Sequence, residues 1–231
     1  MKILAVDSSA KACSAAVVED YRVLGSFFIN TALTHSQTLV PMIDAVLKNT
    51  STDLSSIDAF AVSAGPGSFT GVRIGVSAIK GIAMPLNKPC ISVSTLEAMA
   101  YNLLDEDCIV AAVMDARCNQ VYNALFEINS GTVKRLCDDR ALSIDELDSE
   151  LRNYNNRIVL VGDGAELCYN SFKENNDNII LSSENIRYQN AVGVAFSAFE
   201  KDMISAEELM PTYLRLPQAQ RELKKRMESK K

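Results

Sequence analysis

Two aspartates stand where this chain could do metal chemistry. Asp7 and Asp115 each end a short apolar run, and they lie 108 residues apart. Paired carboxylates at strand ends can hold a metal-bound water between two lobes, as they do in ATPases. Alternatively, each carboxylate caps the turn that follows its strand. Position in the sequence leaves both alternatives open.

The strongest local signal is a glycine-rich loop at 65–71, which reads GPGSFTG. Such loops can cradle a phosphate with backbone N–H groups at a helix N-terminus. A P-loop, however, ends in Gly-Lys-Ser/Thr, where this chain has Gly71-Val72-Arg73, and the dinucleotide loop G-x-G-x-x-G is one residue shorter. We therefore favour a shaped turn that presents the following helix over direct phosphate binding.

The helix predicted after this loop, at 72–84, has a face of small residues. Each glycine inside a helix costs about 1 kcal/mol relative to alanine, so Gly75 and Gly81 need a compensating role. Small residues let another helix approach closely, and that helix could be internal or belong to another subunit. The candidate contact residues here are Gly71, Val72, Ile74, Gly75, Ala78 and Ile82.

A second predicted helix, at 36–49, completes the candidate partner interface. Its apolar stripe consists of Leu39, Met42, Ile43 and Val46, and His35 stands just before it. We expect the two helices to form one partner surface. We also expect Gly75→Leu to weaken the complex while the monomer survives, since leucine is the better helix former.

Side chains that many enzymes need are missing from the sequence. His35 is the only histidine, which excludes a metal site with two histidine ligands. A Ser-His-Asp triad would depend on that residue, and the chain has no G-x-S-x-G motif. The six cysteines contain no C-x-x-C pair and read as reduced, mostly apolar-like side chains. We expect no catalytic residue and no metal.

The elements that position these residues follow a pattern that occurs twice. The first half predicts strands at 2–6, 13–18 and 23–29, a helix at 36–49, a strand at 59–64, a helix at 72–84, a strand at 88–93 and a helix opened by a capping box at 94–97. The second half predicts strands at 109–114, 121–127 and 132–136, a helix opened by a capping box at 143–146, a strand at 158–161 with a helix after it, and helices at 191–202 and 218–229. Asp7 and Asp115 occupy the same place in the two halves.

This duplication resembles the layout of the actin/sugar-kinase/Hsp70 ATPase (ASKHA) family. We therefore expect an α/β fold with duplicated ribonuclease H-like lobes, an N-terminal lobe at 1–105, a C-terminal lobe at 106–216 and a basic tail at 217–231. In that layout Gly162-Asp163-Gly164 falls where adenosine is usually held. It could equally be a tight turn with Asp163 as the N-cap of the next helix.

The turns after the two aspartates differ in their suitability for phosphate. Ser8 and Ser9 follow Asp7 and fit a turn that wraps a phosphate, whereas residues 116–119 contain no glycine. This difference argues against a phosphotransferase. The candidate nucleotide-binding residues are Asp7, Ser8, Asp115, Gly162 and Gly164. We expect no cofactor, and we expect any ATP between the lobes not to be turned over.

Charge is spread unevenly along the chain. Residues 1–100 are neutral overall, 101–220 carry a net charge of -10, and 221–231 carry +4. A body this acidic repels a phosphate backbone, so contact with nucleic acid is expected through a partner or through the tail. The apolar run at the start ends at Asp7 and no run reaches transmembrane length, so we expect a cytoplasmic protein without a membrane anchor.

Several motifs occur in an order that resembles the bacterial TsaB (YeaZ) family, from residue 1 to about 215. The string GPGSFTGVRIG at 65–75 is highly specific. The weaker motifs are ILAVDSS at 3–9, THS at 34–36, DAR at 115–117 with Val121-Tyr122 after it, GDG at 162–164 and YLR at 213–215.

The resemblance implies a role in making threonylcarbamoyladenosine (t6A, position 37) in tRNA. In that family the protein is a non-catalytic relative of the transferase TsaD; it pairs with TsaD, the ATPase TsaE joins them, and threonylcarbamoyl-adenylate comes from a separate synthase. TsaD carries an H-x-x-x-H metal pair after the strand corresponding to 90–93, and this chain has no histidine there.

Two functions therefore remain at this point. The first is a scaffold subunit that binds a TsaD homologue as a heterodimer, reaches tRNA only through the complex and forms a weak homodimer when alone. The second is an autonomous ATP-dependent kinase or ATPase of the same fold. The missing histidines and the glycine-free second turn favour the scaffold.

Overall fold

The computed structural model describes residues 1–31, 33–174 and 176–215. The first half contains β1 (Lys2–Asp7), β2 (Cys13–Glu19), β3 (Arg22–Ile29), α1 (His35–Asn49), β4 (Ala59–Gly65), α2 (Phe69–Leu86), β5 (Cys90–Ser94) and α3 (Thr95–Ala100). The second contains β6 (Cys108–Asp115), β7 (Gln120–Asn129), β8 (Thr132–Arg135), β9 (Arg140–Ser143), α4 (Ile144–Leu151), β10 (Ile158–Val161), α5 (Ala165–Phe172), β11 (Ile179–Leu181), α6 (Glu184–Arg187) and α7 (Ala191–Ala198).

Two sheets repeat one topology. The first has the order β3-β2-β1-β4-β5, and the second β11-β10-β6-β7-β8 with β9 paired to β7. In each half the first strand pairs antiparallel with the second and parallel with the strand after the next helix. Asp7 ends β1 and Asp115 ends β6. The predicted duplicated fold is confirmed.

Five layers result from the way the helices cover the sheets. α1 and α2 pack on one face of the first sheet, and α7 packs on its other face. α3 covers one face of the second sheet, and α4 and α5 cover the other. α3 and α7 meet between the sheets, where a Cβ on Gly193 would lie 2.2 Å from the carbonyl oxygen of Ala98.

The lobe boundaries predicted from the sequence stay a prediction. Part of the chain assigned to the C-terminal lobe packs on the first sheet. α7 lies in the range assigned to the second lobe, yet its Ala191, Val194 and Ala198 pack against the first sheet. The helix predicted at 218–229 and most of the basic tail lie outside the described residues. No helix within the described ranges is long and apolar enough to cross a membrane.

The two predicted capping boxes differ in their outcome. Ser143 and Glu146 form the complete box at the start of α4. At α3, the Ser94 hydroxyl accepts from the Glu97 N–H, but the Glu97 carboxylate turns away to Arg135 and Lys201. The reciprocal half of the α3 box is therefore absent.

Candidate functional site

An open cleft of about 470 Å³ lies between the ends of β1 and β6. One wall is formed by the turn after β1 and the glycine-rich loop, and the other by the end of β6 and the turn after it. The cleft is where the fold brings the chemistry-bearing motifs of the two halves together.

Asp7 is committed to the turn that follows it. Its carboxylate is fully buried and accepts hydrogen bonds from the Ser9 N–H at 2.9 Å and the Ser9 hydroxyl at 2.8 Å. The Ser63 hydroxyl donates to its other oxygen. Burial raises the pKa of Asp7, and these hydrogen bonds oppose that rise. The turn-capping alternative therefore describes Asp7.

Asp115 is in a different environment from Asp7. Its side chain is about one-third exposed, and it accepts from the Arg117 N–H at 2.7 Å. Three successive residues after it, Arg117, Cys118 and Asn119, have left-handed backbone with φ of 67°, 56° and 56°. L-residues seldom adopt that conformation, and here it is held without glycine.

The glycine-rich loop packs on the turn after β1. The Ser68 N–H donates to the Ser9 carbonyl at 2.7 Å, and the Ser8 hydroxyl donates to the Gly71 carbonyl at 2.9 Å. A Cβ on Gly67 would lie 2.4 Å from the Ser9 carbonyl oxygen. These contacts support the shaped-turn interpretation, because loop groups that a phosphate would need are bonded within the protein.

The predicted contact role of the α2 glycines is wrong. A Cβ on Gly71 would lie 2.1 Å from the Ser8 carbonyl oxygen, and one on Gly75 would lie 2.6 Å from the Ser8 hydroxyl and 3.2 Å from Val62. Both glycines are buried and let α2 approach β1 and β4. They are not where a partner helix would touch.

The apolar stripe of α1 also faces inward. Leu39, Met42, Ile43, Val46 and, on α2, Val72 belong to the core beneath the first sheet. Ile74, Ala78 and Ile82 pack against that core while remaining half-buried. The contact role predicted for Leu39, Met42, Ile43, Val46 and Val72 is therefore wrong, because these side chains are buried in the core. For Ile74, Ala78 and Ile82 that role stays a prediction.

A different set of side chains forms the outer face of α1 and α2. Val40 is 56 % exposed and Met84 is 52 % exposed. Phe69, Arg73 and Ile74 line a shallow hollow on the outside of α2. Sequence reasoning missed this face because a partner surface and a core stripe both read as apolar residues at helical spacing.

His35 joins α1 to the turn after β1. Its Nε2 lies 2.6 Å from the Ala10 carbonyl oxygen, while Nδ1 is buried without a hydrogen-bond partner among the described residues. The ring thus has a positioning role inside the first half of the chain.

The Gly162-Asp163-Gly164 turn packs on the end of β6. A Cβ on Gly162 would lie 1.9 Å from the Val113 carbonyl oxygen, and one on Gly164 would lie 3.0 Å from the Asp115 nitrogen. Gly164 is the N-cap residue of α5, so the alternative in which Asp163 caps this helix does not hold.

The Asp163 carboxylate instead accepts from the Gln189 side chain at 3.1 Å. Desolvation by the surrounding walls raises the pKa of Asp163 to about 6, although the residue reaches solvent. The Gln189 hydrogen bond opposes this rise, and the charges of Asp115 and Asp7 add to it. Of the candidate nucleotide residues, Asp7, Ser8, Gly162 and Gly164 are buried, and only Asp115 is exposed.

Potential metal ligands and thiols are the other side chains that could do chemistry. Within the described ranges, no group of three or more His, Cys, Asp or Glu side chains is placed to hold a metal ion. All six cysteines are unpaired. Burial raises the pKa of Cys13, Cys90 and Cys108 to about 11, which keeps these thiols protonated and unreactive.

Comparisons with known proteins agree with the fold. A family model described as TsaD, tRNA N6-adenosine threonylcarbamoyltransferase, matches residues 29–223. The tRNA threonylcarbamoyladenosine biosynthesis protein TsaB of Haemophilus influenzae is 34 % identical, with 93 % of this chain and 94 % of that protein covered. The Escherichia coli protein of the same name is 31 % identical, with 93 % and 95 % covered.

Solved structures give the same result. YeaZ from Pseudomonas aeruginosa has a TM-score of 0.77 at 28 % identity, covering 92 % of this chain and 99 % of its own. The activator of 2-hydroxyisocaproyl-CoA dehydratase from Clostridium difficile with bound ADPNP has a TM-score of 0.53 at 10 % identity, covering 87 % of this chain and 95 % of its own, and shows a shared fold alone. With near full-length relatives above 30 % identity, the chain belongs to the TsaB (YeaZ) family.

Proposed function

We propose that this protein is a non-catalytic subunit of the cytoplasmic machinery that makes threonylcarbamoyladenosine in tRNA. The names of its relatives support the pathway. The observation that carries the non-catalytic role is the state of the cleft: Asp7 is enclosed by Ser9 and Ser63, and the glycine-rich loop is bonded to the turn beside it. These groups form hydrogen bonds with one another, so they are not free to bind a substrate in the cleft.

The partner that we propose is a TsaD homologue, bound through the outer face of α1 and α2, with a TsaE ATPase joining the pair. This face combines exposed apolar side chains such as Val40 and Met84 with the hollow lined by Phe69, Arg73 and Ile74. Aromatic, methionine and arginine side chains are enriched at protein interfaces, and this face offers Phe69, Met84 and Arg73. Two copies of this chain would pair weakly through the same face when TsaD is absent.

In this proposal the protein contacts tRNA only through the complex, because its body is acidic. It needs no cofactor of its own, and nucleotide held in the cleft would not be turned over.

Val40→Glu tests the proposed surface, with Leu167→Glu as its matched control. Both side chains are exposed apolar residues on helices, at 56 % and 47 %, but Leu167 lies on α5 in the other half of the fold. A charge placed inside an interface without a counter-charge costs at least about 1.4 kcal/mol, which is tenfold in affinity. Calorimetric titration with the TsaD homologue should show at least that loss for Val40→Glu and none for Leu167→Glu.

Equal affinity of both variants for the TsaD homologue would show that the interface does not include the outer face of α1. Steady ATP turnover by the purified chain alone, abolished by Asp115→Asn, would instead establish the autonomous ATPase.

A further inference from the structure

The chain after α7 runs along the first half of the molecule and then crosses to the second. Residues 204–215, named here the strap, begin at Ile204, whose N–H and carbonyl both bond to Cys90 at 2.8 Å. Leu209 is fully buried in the core beneath α2. The Lys80 ammonium donates to the carbonyls of Glu207 and Leu209 at 3.0 and 3.1 Å. This part of the strap is anchored to the first sheet and its helix.

The glycine-rich loop provides the crossing point. The Thr212 N–H donates to the Ala64 carbonyl at 2.7 Å. Gly65 has φ of 128°, and a Cβ there would lie 2.2 Å from the Thr212 carbonyl oxygen. Both the backbone conformation and the space require glycine at this position. The first glycine of the loop is thereby explained by the strap rather than by a ligand.

The last three residues of the strap reach from one half to the other. The Tyr213 ring stacks on the Phe69 ring with centroids 4.6 Å apart, and the Arg73 Nε donates to the Tyr213 hydroxyl at 2.7 Å. Leu214 packs against the core of the second sheet. Arg215 donates to the Ala116 carbonyl at 3.0 Å and lies 5.7 Å above the Tyr122 ring. The strap therefore joins α2 to the end of β6 across the cleft.

A second set of contacts ties the halves together elsewhere. The buried Glu97 of α3 accepts from Arg135 of β8 at 2.8 Å and from Lys201, after α7, at 2.7 Å. Ser94 donates to Asp139 at 2.5 Å. Among the described residues, this set has none in common with the cleft lining. It can serve as a pivot when the contacts at the cleft are released.

We propose that the strap is a latch that holds the two sheets at one angle and so fixes the width of the cleft. Tyr213 and Arg215 are its catch, because their contacts lie on opposite walls. A protein with two conformations that differ by a few kcal/mol populates the minor one at about 0.1–10 %. When the Tyr213 and Arg215 contacts are present, one distance between the lobes should dominate. When these contacts are removed, the lobes should rotate about the Glu97 contacts.

Pulsed electron spin resonance on the full chain can test this latch. Spin labels go on Gln37→Cys in α1 and Glu166→Cys in α5, both exposed, in a Cys118→Ser/Cys137→Ser background that removes the two native thiols that are not buried. Dilution with unlabelled protein removes distances between copies. Three labelled proteins are compared: the chain with an unsubstituted strap, the double variant Tyr213→Ala/Arg215→Ala, and the control variant Met210→Ala. Met210 lies on the strap and is 62 % exposed.

The latch predicts one narrow distribution of the distance between the two spin labels, both in the chain with an unsubstituted strap and in Met210→Ala. The double variant should add a second population of more than about 10 %, with faster hydrogen exchange at the Thr212 amide. An unchanged narrow distribution in a double variant that melts cooperatively would overturn the latch. If the double variant does not fold, Arg215→Ala alone decides, since it removes only the contacts to Ala116 and Tyr122, and an unchanged distribution in it would equally overturn the proposal.

Discussion

At the scale of single residues, the glycines of the 65–75 string serve the backbone of neighbouring segments. The absence of a side chain leaves room for the strap at Gly65, for the turn after β1 at Gly67 and Gly71, and for the Ser8 side chain at Gly75. The spacing of small residues indicated a close approach, but spacing cannot say which segment approaches. The sequence therefore predicted the feature and assigned it to a partner instead of to β1 and β4.

Two glycines of α2 make a matched pair for this account. A Cβ on Gly75 would lie 2.6 Å from the Ser8 hydroxyl, whereas one on Gly81 would meet nothing among the described residues within 4 Å. Both substitutions gain helix propensity, but Gly75→Ala should also lose about 1–3 kcal/mol through overpacking, so it should be the less stable of the two variants by that amount. Gly81→Ala should stabilise the chain by about 1 kcal/mol through helix propensity.

Thermal and urea unfolding of the isolated chain would measure both glycine variants. Gly75→Ala is expected to unfold at a lower temperature and a lower urea concentration than Gly81→Ala. A stabilised Gly75→Ala chain would show that the space beside Ser8 is open, and would restore this position as a candidate for contact with a partner.

At the scale of elements, hydrophobic periodicity was sufficient wherever the element was long. α1, α2 and the central strands were predicted within a few residues, since their apolar positions repeat over several turns or alternations. β9, β11 and α6, each of three or four residues, were missed, since elements this short show no clear period. The equally short β10 was predicted because its four apolar residues end at Gly162-Asp163-Gly164. α7 was predicted as a helix, but a helix apolar all round carries no sign of which sheet it packs on.

The short α3 helix supports a prediction about pH. Burial by itself would raise the pKa of Glu97, but hydrogen bonds and charge from Arg135 and Lys201 outweigh it and lower that pKa below 4.5. A carboxylate with a depressed pKa contributes stability above its unfolded pKa, and this stability is lost as pH falls through the folded pKa. Glu97→Gln should cost about 1–3 kcal/mol at pH 7, because Lys201 loses its carboxylate partner and Arg135 keeps only Asp139.

Urea unfolding at several pH values would test this contribution, with Glu166→Gln as an exposed control. The unfolding free energies of the wild type and Glu97→Gln should converge as pH falls below about 4.5. A gap that stays constant from pH 7 to pH 3 would show that Glu97 acts through packing and not through its charge.

At the scale of the whole molecule, the chain has the two-lobed layout of an ATPase family with its first carboxylate enclosed. The duplication was visible from the sequence because both halves repeat the same order of elements around Asp7 and Asp115. Whether the cleft is used was not visible, since that depends on side-chain contacts such as Ser63 with Asp7 and Arg215 with Ala116. These partners are distant in sequence and meet only in the fold.

The central claim is that this protein supports the TsaD homologue through its surface and performs no chemistry of its own. The most direct measurement is t6A formation on tRNA by the reconstituted TsaD and TsaE homologues, supplied with threonylcarbamoyl-adenylate, with and without this chain. The account predicts that product formation requires the chain, survives Asp115→Asn, and falls at least about tenfold with Val40→Glu at limiting concentration. Loss of product with Asp115→Asn in a complex that still assembles, or full activity with Val40→Glu, would contradict it.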